Sequence, residues 1–363
     1  VGRCKVITLS SVIAQFEDDF LKRYRNSMLP GQRKALGALK RCRTAGSTLM
    51  KLCCSACDEV LFTPHSCGHR NCPHCQNHES WEWIERECQK RVDANYFMIT
   101  FTLPSQFRDL VYGNQRTMLS LLYKMAWETV LEFCNNDPQL GGCAGATAVL
   151  HTHSRRLNYH PHIHLVIPAA VVDSINGLWK VKSGRYLFNH KALAKVFRAK
   201  MLAGINGVGL ELPQRYPGKW IVDCKHVGSG EKAITYLGRY LYRGVIAEKD
   251  ILSVKDGKVT FRYLDSDTKR RETRTVSGAH FLWLILQHVL PKRFRRARSF
   301  GFLHPNSKLI TPWLRYLFKV TDPSRWVAKL KPRPAMACKS CGSAMVIVQT
   351  RITLGDLRSL MPG

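Results

Sequence analysis

A run of histidines between residues 158 and 167 has the spacing expected of a metal-binding strand. The run reads Asn-Tyr-His-Pro-His-Ile-His-Leu-Val-Ile, so a single isoleucine separates His162 from His164. Alternate residues of a strand share one face, which places these two imidazoles together, about 7 Å apart, while Ile163 and Leu165 point into the core. Two imidazoles on a rigid strand can converge on one divalent metal ion if a neighbouring strand supplies a third ligand.

The third ligand is expected from the strand that precedes this one. A polar segment separates two strand-like runs, residues 146–153 and 160–168. If the segment turns as a hairpin, it brings His151 alongside His162. The alternatives for the third ligand are His153 and His160.

Two tyrosines later in the chain could supply a nucleophile. Tyr236 and Tyr240 are four residues apart in a helical segment, residues 230–242, so they lie on one helix face about 6 Å apart. Arg239 and Arg243 share a neighbouring face. By itself such a pair is more typical of packing, but the paired histidines favour chemistry. A phenol that attacks a metal-bound phosphate would leave a covalent phosphotyrosine link.

Clustered cysteines indicate a second kind of metal site. Cys54 and Cys57 form one closely spaced pair, and Cys72 and Cys75 form another, with fourteen residues between the two pairs. Two such pairs can close a tetrahedron around zinc, and Cys67 is a further candidate ligand. Neither the His-x-Glu signature of deaminases nor the His-Glu-x-x-His motif of zinc proteases occurs here, so the zinc is predicted to be structural.

The remaining cysteines give no clear metal pattern. Cys338 and Cys341 have the same spacing but no visible partner pair. The scattered cysteines, Cys42 among them, are expected to be buried and inert.

The charge of the chain indicates a polyanionic partner. Its 363 residues include 56 Lys and Arg against 26 Asp and Glu, for a net charge of +30. Such an excess on a folded body is typical of nucleic-acid binding. There is no secretion signal, and no apolar run is long enough to span a bilayer, so we expect a cytoplasmic, nucleoid-associated protein without a membrane partner. Of its 14 cysteines, four or five are then expected to bind zinc, and none is expected to form a disulfide.

The pairing of His-hydrophobe-His with Tyr-x3-Tyr resembles the HUH endonuclease superfamily. Within it, the chain is similar to the rolling-circle transposases of the insertion-sequence-ninety-one type. Further segments carry this resemblance: His-Ser-Cys-Gly-His-Arg-Asn-Cys-Pro-His-Cys-Gln at 65–76, Phe-Thr-Leu-Pro at 101–104, Val-Leu-His-Thr at 149–152, His-Val-Leu-Pro-Lys at 288–292 and Gly-Phe-Leu-His-Pro at 301–305.

The resemblance implies nicking and rejoining of single-stranded DNA at transposon ends. His162, His164 and His151 would hold Mg²⁺ or Mn²⁺, and Tyr236 or Tyr240 would attack the scissile phosphate to give a 5′-phosphotyrosine and a free 3′-OH. The partners implied are single-stranded and hairpin DNA at the ends, and target DNA. Two tyrosines in one chain would allow a monomer to complete both cleavages. The residues predicted to contact DNA are Arg70, Arg239, Arg243, Lys292, Arg293, Arg295, Arg296 and Arg298.

The predicted elements that position these residues indicate an α+β fold with a central antiparallel sheet flanked by helices, and the resemblance implies that this is an HUH endonuclease domain. Strands are predicted at 96–103, 146–153, 160–168, 219–224, 258–264 and 271–276, and helical segments at 11–45, 115–134, 191–203, 230–242 and 279–290. The predicted domains are a basic helical region (1–50), a zinc-binding module (51–80), the nuclease domain (81–247) and a basic C-terminal DNA-binding region (248–363).

Two rival functions have distinguishable signatures. A plasmid or phage replication initiator, or a relaxase, would use the same chemistry, but the cysteine cluster and the later segments favour the transposase. A zinc-containing nucleic-acid-binding regulator without catalysis would form no covalent adduct with DNA.

Overall fold

Two compact units make up the fold. The computed structural model describes residues 7–75, 77–241, 244–265, 267–307, 336–353 and 355–356. Unit 1 comprises Val1–Asn77, Arg243–Val289 and Lys329–Gly363, and unit 2 comprises His78–Tyr242 and Leu290–Ala328. The division differs from the predicted run of consecutive domains, because parts of the predicted C-terminal region belong to the same unit as the N-terminal helices.

The described residues of unit 1 form three helices and two small sheets. Its elements are α1 (Leu9–Tyr24), α2 (Pro30–Arg41), β1 (Leu49–Cys54), β2 (Val60–Pro64), β9 (Ile251–Lys255), β10 (Lys258–Leu264), β11 (Arg271–Ser277), α8 (Gly278–Leu286) and β13 (Met345–Ile352). The antiparallel sheets have the orders β13-β1-β2 and β11-β10-β9. The segment predicted as helical over 11–45 is two helices, because Pro30 cannot continue a helix but is well suited to begin one.

Aromatic packing joins the N-terminal helices to the later segment of unit 1. Tyr24 stacks on Trp283 with ring centroids 4.8 Å apart. A side chain at Gly278 would overlap the ring of Phe16, so only glycine lets α1 and α8 approach this closely. Glu248 accepts a hydrogen bond from the backbone N–H of Leu9 at 2.7 Å, at the first turn of α1. These contacts explain why residues 244–289 fold with the N-terminus.

Unit 2 is built on a seven-stranded antiparallel sheet. Its elements are α3 (Asn77–Gln89), β3 (Tyr96–Thr102), α4 (Arg108–Gly113), α5 (Gln115–Asn136), β4 (Cys143–His153), β5 (Tyr159–Pro168), β6 (Ala170–Asp173), β7 (Leu178–Val181), α6 (His190–Gly207), β8 (Val222–His226), α7 (Glu231–Leu241) and β12 (Ala297–Gly301). The strand order is β7-β6-β4-β5-β3-β8, and β12 pairs with β4. The predicted α+β class with a central antiparallel sheet is confirmed.

The two faces of this sheet have different roles. Helices α5 and α6 contribute to the main core together with Ile163 and Leu165 of β5, as predicted from the alternation of the strand. Residues His162 and His164 therefore face the other side, where α7 contacts β4 and β5. The strand predicted at 219–224 is β8, which begins at Val222 and ends at His226. Among the described residues, no helix is long and apolar enough to cross a bilayer.

Candidate active site and cysteine clusters

Strands β4 and β5 form the predicted hairpin. Their antiparallel register places His151 opposite His162 and Val149 opposite His164. The hairpin thus brings His151 alongside His162 as the sequence predicted. The ligand-capable nitrogens of His151, His162 and His164 all lie within 4.8 Å of one another.

Hydrogen bonds orient the imidazole rings for a common ligand. The Nδ1 of His162 donates to the carbonyl of His160 at 2.7 Å, and the Nδ1 of His164 lies 2.9 Å from the Thr100 hydroxyl. Both contacts leave Nε2 available, which is how metal-binding histidines are commonly held. The Nε2 of His151 is buried and has no hydrogen-bond partner among the described residues. Such an unpaired buried nitrogen is costly unless it binds a ligand.

Burial keeps these three imidazoles neutral. It lowers the pKa of His162 to about 3 and that of His164 to about 4. The pKa of His151 is also lowered, first by burial and then by the neighbouring histidines. Because neutral imidazole is the form that binds a metal ion, the triad fits a divalent metal at neutral pH.

Helix α7 places the two tyrosines beside this triad. Tyr236 is 48% exposed, and its ring centroid lies 6.3 Å from that of His151 and 6.4 Å from that of His164. Tyr240 is more buried and stacks on the ring of His151. Its hydroxyl lies 2.7 Å from Nε2 of His153, and burial raises its pKa. The tyrosines therefore differ in accessibility although they share a helix face.

The close packing of α7 against α3 depends on a glycine. Gly238 lies between the tyrosines, and a Cβ there would come within 2.2 Å of Ile84 in α3. The hydroxyl of Ser80 donates to the carbonyl of Gly238 at 2.9 Å. Gly238 thus allows the close packing of α7 against α3 that positions both tyrosines.

The predicted DNA-binding cations occupy several environments. Arg239, Lys292, Arg293 and Arg295 are exposed or partly exposed, and Arg70 is half-buried. Two others make contacts within the fold. Arg296 donates to the carbonyl of Leu241 at 3.0 Å, and the Arg298 guanidinium lies 4.2 Å from the ring centroid of Tyr123. Arg243 lies outside the described residues.

The cysteines group differently from the prediction. Cys54 and Cys57 do not meet Cys72 and Cys75; the structure divides the four between two clusters. Each cluster has its sulfurs within 4.8 Å of one another. The first contains Cys42, Cys67, Cys72 and Cys75. The second contains Cys54, Cys57, Cys338 and Cys341. The reason is tertiary, because the partners of Cys54 and Cys57 come from a segment near the other end of the chain.

The first cluster uses Cys67, a predicted candidate, and Cys42, which was predicted to be inert; Cys42 is buried, but it lies among the other three thiols. The Sγ of Cys42 lies 3.5 Å from that of Cys72 and 3.4 Å from that of Cys75, and Cys67 lies 3.7 Å from Cys75. Within the same unit, the Nε2 of His74 lies 2.7 Å from a Glu248 carboxylate oxygen. No pair spacing marks Cys42, and the segment around it was predicted as one continuous helix, so no sequence pattern indicated that it joins the cluster.

Family models and a known protein match the regions that contain the histidines, the tyrosines and the first cysteine cluster. Residues 145–308 match a family described as "Putative transposase", and residues 12–103 match the "Transposase zinc-binding domain". The "Putative transposase y4qJ" of Sinorhizobium fredii (strain NBRC 101917 / NGR234) is 28% identical over 315 residues, 78% of this chain and 79% of the relative. These matches support a transposase of the insertion-sequence-ninety-one type with an N-terminal zinc-binding domain.

Another transposase and two solved structures are also similar. The "Transposase for insertion sequence element IS801" of Pseudomonas savastanoi pv. phaseolicola is 29% identical over 270 residues, 68% of this chain and 64% of that protein. Two structures of the conjugative relaxase TrwC, one with mutant oriT DNA and one metal-free with oriT DNA, are 15% and 14% identical. Each match covers 62% of this chain and has a TM-score of 0.25. The matches cover 74% of the first relaxase chain and 73% of the second.

The family assignment decides between the predicted functions. The transposase is an enzyme that cleaves DNA and transfers strands, and it carries an N-terminal zinc-binding domain. The matches favour this function over a replication initiator, a relaxase or a non-catalytic regulator.

Proposed function

We propose that this transposase nicks and rejoins single-stranded DNA through a tyrosine at a histidine-held metal ion. The observation that carries the proposal is the meeting of three neutral imidazoles with two tyrosines one helical turn apart. Phosphoryl transfer needs charge stabilisation at the phosphate and an aligned nucleophile, and this arrangement supplies residues for both.

His151, His162 and His164 would hold the metal ion through nitrogens that the fold leaves unpaired or points inward. When bound, a divalent ion supplies Lewis-acid stabilisation of the charge on the scissile phosphate. We propose Mg²⁺ or Mn²⁺ for this role. An all-imidazole donor set favours transition metals, so we expect Mn²⁺ to act at lower concentrations than Mg²⁺.

The attacking tyrosine loses its hydroxyl proton and forms an oxygen–phosphorus bond. The bond from phosphorus to the 3′ oxygen breaks, and the departing 3′ oxygen takes up a proton to become a 3′-OH. The 5′ side of the DNA is then held as a phosphotyrosine, which keeps the energy of the broken phosphodiester bond. A 3′-OH can later attack this link, which rejoins DNA and restores the tyrosine.

We propose that Tyr236 attacks first and that Tyr240 acts in the second exchange. Tyr236 is the more exposed of the two, with a free approach for DNA beside the rings of His151 and His164. The hydroxyl of Tyr240 is held by His153, which keeps it aligned but engaged. With both tyrosines in one chain, a monomer could complete both exchanges.

The DNA proposed here is single-stranded and hairpin DNA at the transposon ends, followed by target DNA. Exposed cations would contact its phosphates, and such contacts position DNA without reading its sequence. Those on described residues are Arg239, Lys292, Arg293 and Arg295. The zinc-binding domain, with Arg70, would add further phosphate contacts. The chromosome as substrate fits the predicted nucleoid location.

A covalent-adduct assay tests the proposal. The protein is incubated with single-stranded transposon-end DNA and Mn²⁺ or Mg²⁺, then denatured and separated by size. We expect a denaturant-resistant adduct with the wild type and none with the double variant Tyr236→Phe, Tyr240→Phe. Phenylalanine keeps the ring packing and removes only the hydroxyl. An adduct that persists in the double variant would refute the catalytic assignment.

The single variants test the order of attack. Tyr236→Phe should abolish the first adduct, whereas Tyr240→Phe should form it but fail to join a second strand. The opposite pattern, with the first adduct lost only in Tyr240→Phe, would reverse the proposed order. Metal dependence separates this chemistry from nonspecific crosslinking, because omission of Mn²⁺ and Mg²⁺ should prevent adduct formation in every variant that otherwise forms an adduct.

A further inference from the structure

We infer that Cys54, Cys57, Cys338 and Cys341 form a second tetrathiolate zinc site, which fastens the C-terminal strand β13 to the N-terminal hairpin of β1 and β2. The zinc-binding family match covers residues 12–103, so it contains only the first pair. The second pair lies more than 280 positions later in the chain. The site does not depend on the proposed DNA chemistry.

The sulfur positions fit a tetrahedral metal ion. The Sγ of Cys54 lies 3.4 Å from that of Cys341, and the Sγ of Cys57 lies 3.7 Å from that of Cys338 and 3.6 Å from that of Cys341. Zinc–sulfur bonds of about 2.3 Å in a tetrahedron place the sulfurs about 3.8 Å apart. The first cluster, within the family's zinc-binding domain, shows the same range of separations.

Each pair lies in a tight backbone loop of the kind that carries thiolate ligands. In the C-terminal loop, the N–H of Gly342 donates to the carbonyl of Cys338 at 3.0 Å, and the N–H of Cys338 donates to the carbonyl of Ser343 at 2.8 Å. Gly342 has a φ of +76°, which glycine adopts without strain. In the N-terminal loop, the N–H of Ala56 points to the Sγ of Cys54 at 3.4 Å. Such N–H groups stabilise a thiolate.

The β ladder brings the two loops together. Strand β13 runs antiparallel to β1, with Cys54 opposite Met345. Beyond the end of the ladder, the Ser55 backbone N–H and hydroxyl both donate to the carbonyl of Ala344, at 3.2 and 2.9 Å. The hydroxyl of Ser340 donates to Glu59 at 3.2 Å. The four sulfurs are thus positioned by backbone pairing.

Among the residues that the structure describes, hydrophobic burial around this sheet is small. The buried members of its cluster are Leu52, Cys338 and Met345. Three consecutive apolar residues of β13, Val346 to Val348, are each more than half exposed. So small a core cannot hold a separate strand in place, and small folds of this kind commonly use a metal ion instead. The inferred zinc supplies the missing free energy and joins chain segments that are distant in sequence.

Thiol alkylation of the intact wild-type protein tests the site. Cys341 is exposed, so as a free thiol it should react at once with iodoacetamide, whereas a zinc-bound thiolate should be protected. We expect protection of Cys54, Cys57, Cys338 and Cys341, mapped by mass spectrometry, until a zinc chelator is added. Cys53 is the internal control, because it lies in the same strand but in neither cluster. Its labelling should not depend on the chelator in the first minutes.

Zinc content gives a second readout. The wild type should carry about two zinc ions per chain, on the basis of two tetrathiolate sites. The variant Cys338→Ser, Cys341→Ser should lose one of them, while Cys53→Ser and Cys341→His, which keeps a zinc-binding side chain, should lose none. Immediate alkylation of Cys341 in the zinc-loaded wild type would overturn the inference. So would protection relieved by a reductant alone, iron in place of zinc, or full zinc content in the double serine variant.

Discussion

Substitution of Gly238 by alanine tests whether close helix packing positions the two tyrosines. Gly238 lies on α7 between Tyr236 and Tyr240, against α3. The added Cβ would lie 2.2 Å from Cγ1 of Ile84 and 2.8 Å from Cε3 of Trp83. Neither neighbour is the free end of a long flexible chain, so α7 must move away from α3 or rotate.

The size of this movement sets the expected effect. Ordinary contact begins at 3.4 Å, so the closest separation must increase by about 1.2 Å. Misplacement of a reacting group by about 1 Å can reduce a rate about a hundredfold. The overpacking should cost about 1–3 kcal/mol of stability, offset by about 1 kcal/mol because alanine favours the helix. We therefore expect a folded protein with adduct formation slowed about a hundredfold.

The assay is the initial rate of adduct formation at saturating DNA and metal, alongside the midpoint of thermal unfolding. Gly207→Ala is the matched control, because Gly207 ends helix α6 and a Cβ there would meet nothing within 4 Å. It should keep the wild-type rate. If Gly238→Ala also kept that rate while remaining folded, the argument that this contact positions the tyrosines would be refuted.

Three further predictions concern the triad and the basic residues. Mn²⁺ at about 100 times its Kd should stabilise the wild type by about 2.7 kcal/mol in thermal unfolding. The variant His162→Ala should remain folded, and Mn²⁺ should leave its stability unchanged. Loss of folding in that variant would show that the histidine is structural. Because burial lowers the pKa of His162 to about 3 and of His164 to about 4, from 6.5 when unfolded, the unfolded chain binds more protons between these values. The free energy of unfolding of the protein without added Mn²⁺ or Mg²⁺, measured in urea, should therefore fall as pH decreases from 6.5 towards 4, and a flat profile would contradict burial of the triad. Arg293→Ala with Arg295→Ala should weaken single-stranded DNA binding and reduce the salt slope by about 0.7 for each phosphate that the protein no longer neutralises, with unchanged stability, whereas Arg298→Ala should lower the midpoint of thermal unfolding because its guanidinium packs on aromatic rings.

The histidine site illustrates how far local pattern reaches. Strand alternation predicted that His162 and His164 share a face, and the polar turn predicted the hairpin that places His151 opposite His162. Both inferences concern neighbours in sequence, and backbone geometry fixes their relation. The same pattern could not distinguish Tyr236 from Tyr240, because the greater burial of Tyr240 comes from its packing against β4, where it stacks on His151 and its hydroxyl contacts His153.

The cysteines show the limit of such reasoning. Sequence spacing identified the pairs and predicted that they bind zinc, but it joined Cys54 and Cys57 to the nearest pair along the chain. The actual partners are Cys338 and Cys341, which the ladder between β1 and β13 brings from the other end of the chain. Spacing along a chain determines which side chains form one loop or one strand face. Only the folded structure decides which loops meet, because that depends on how all the intervening segments pack.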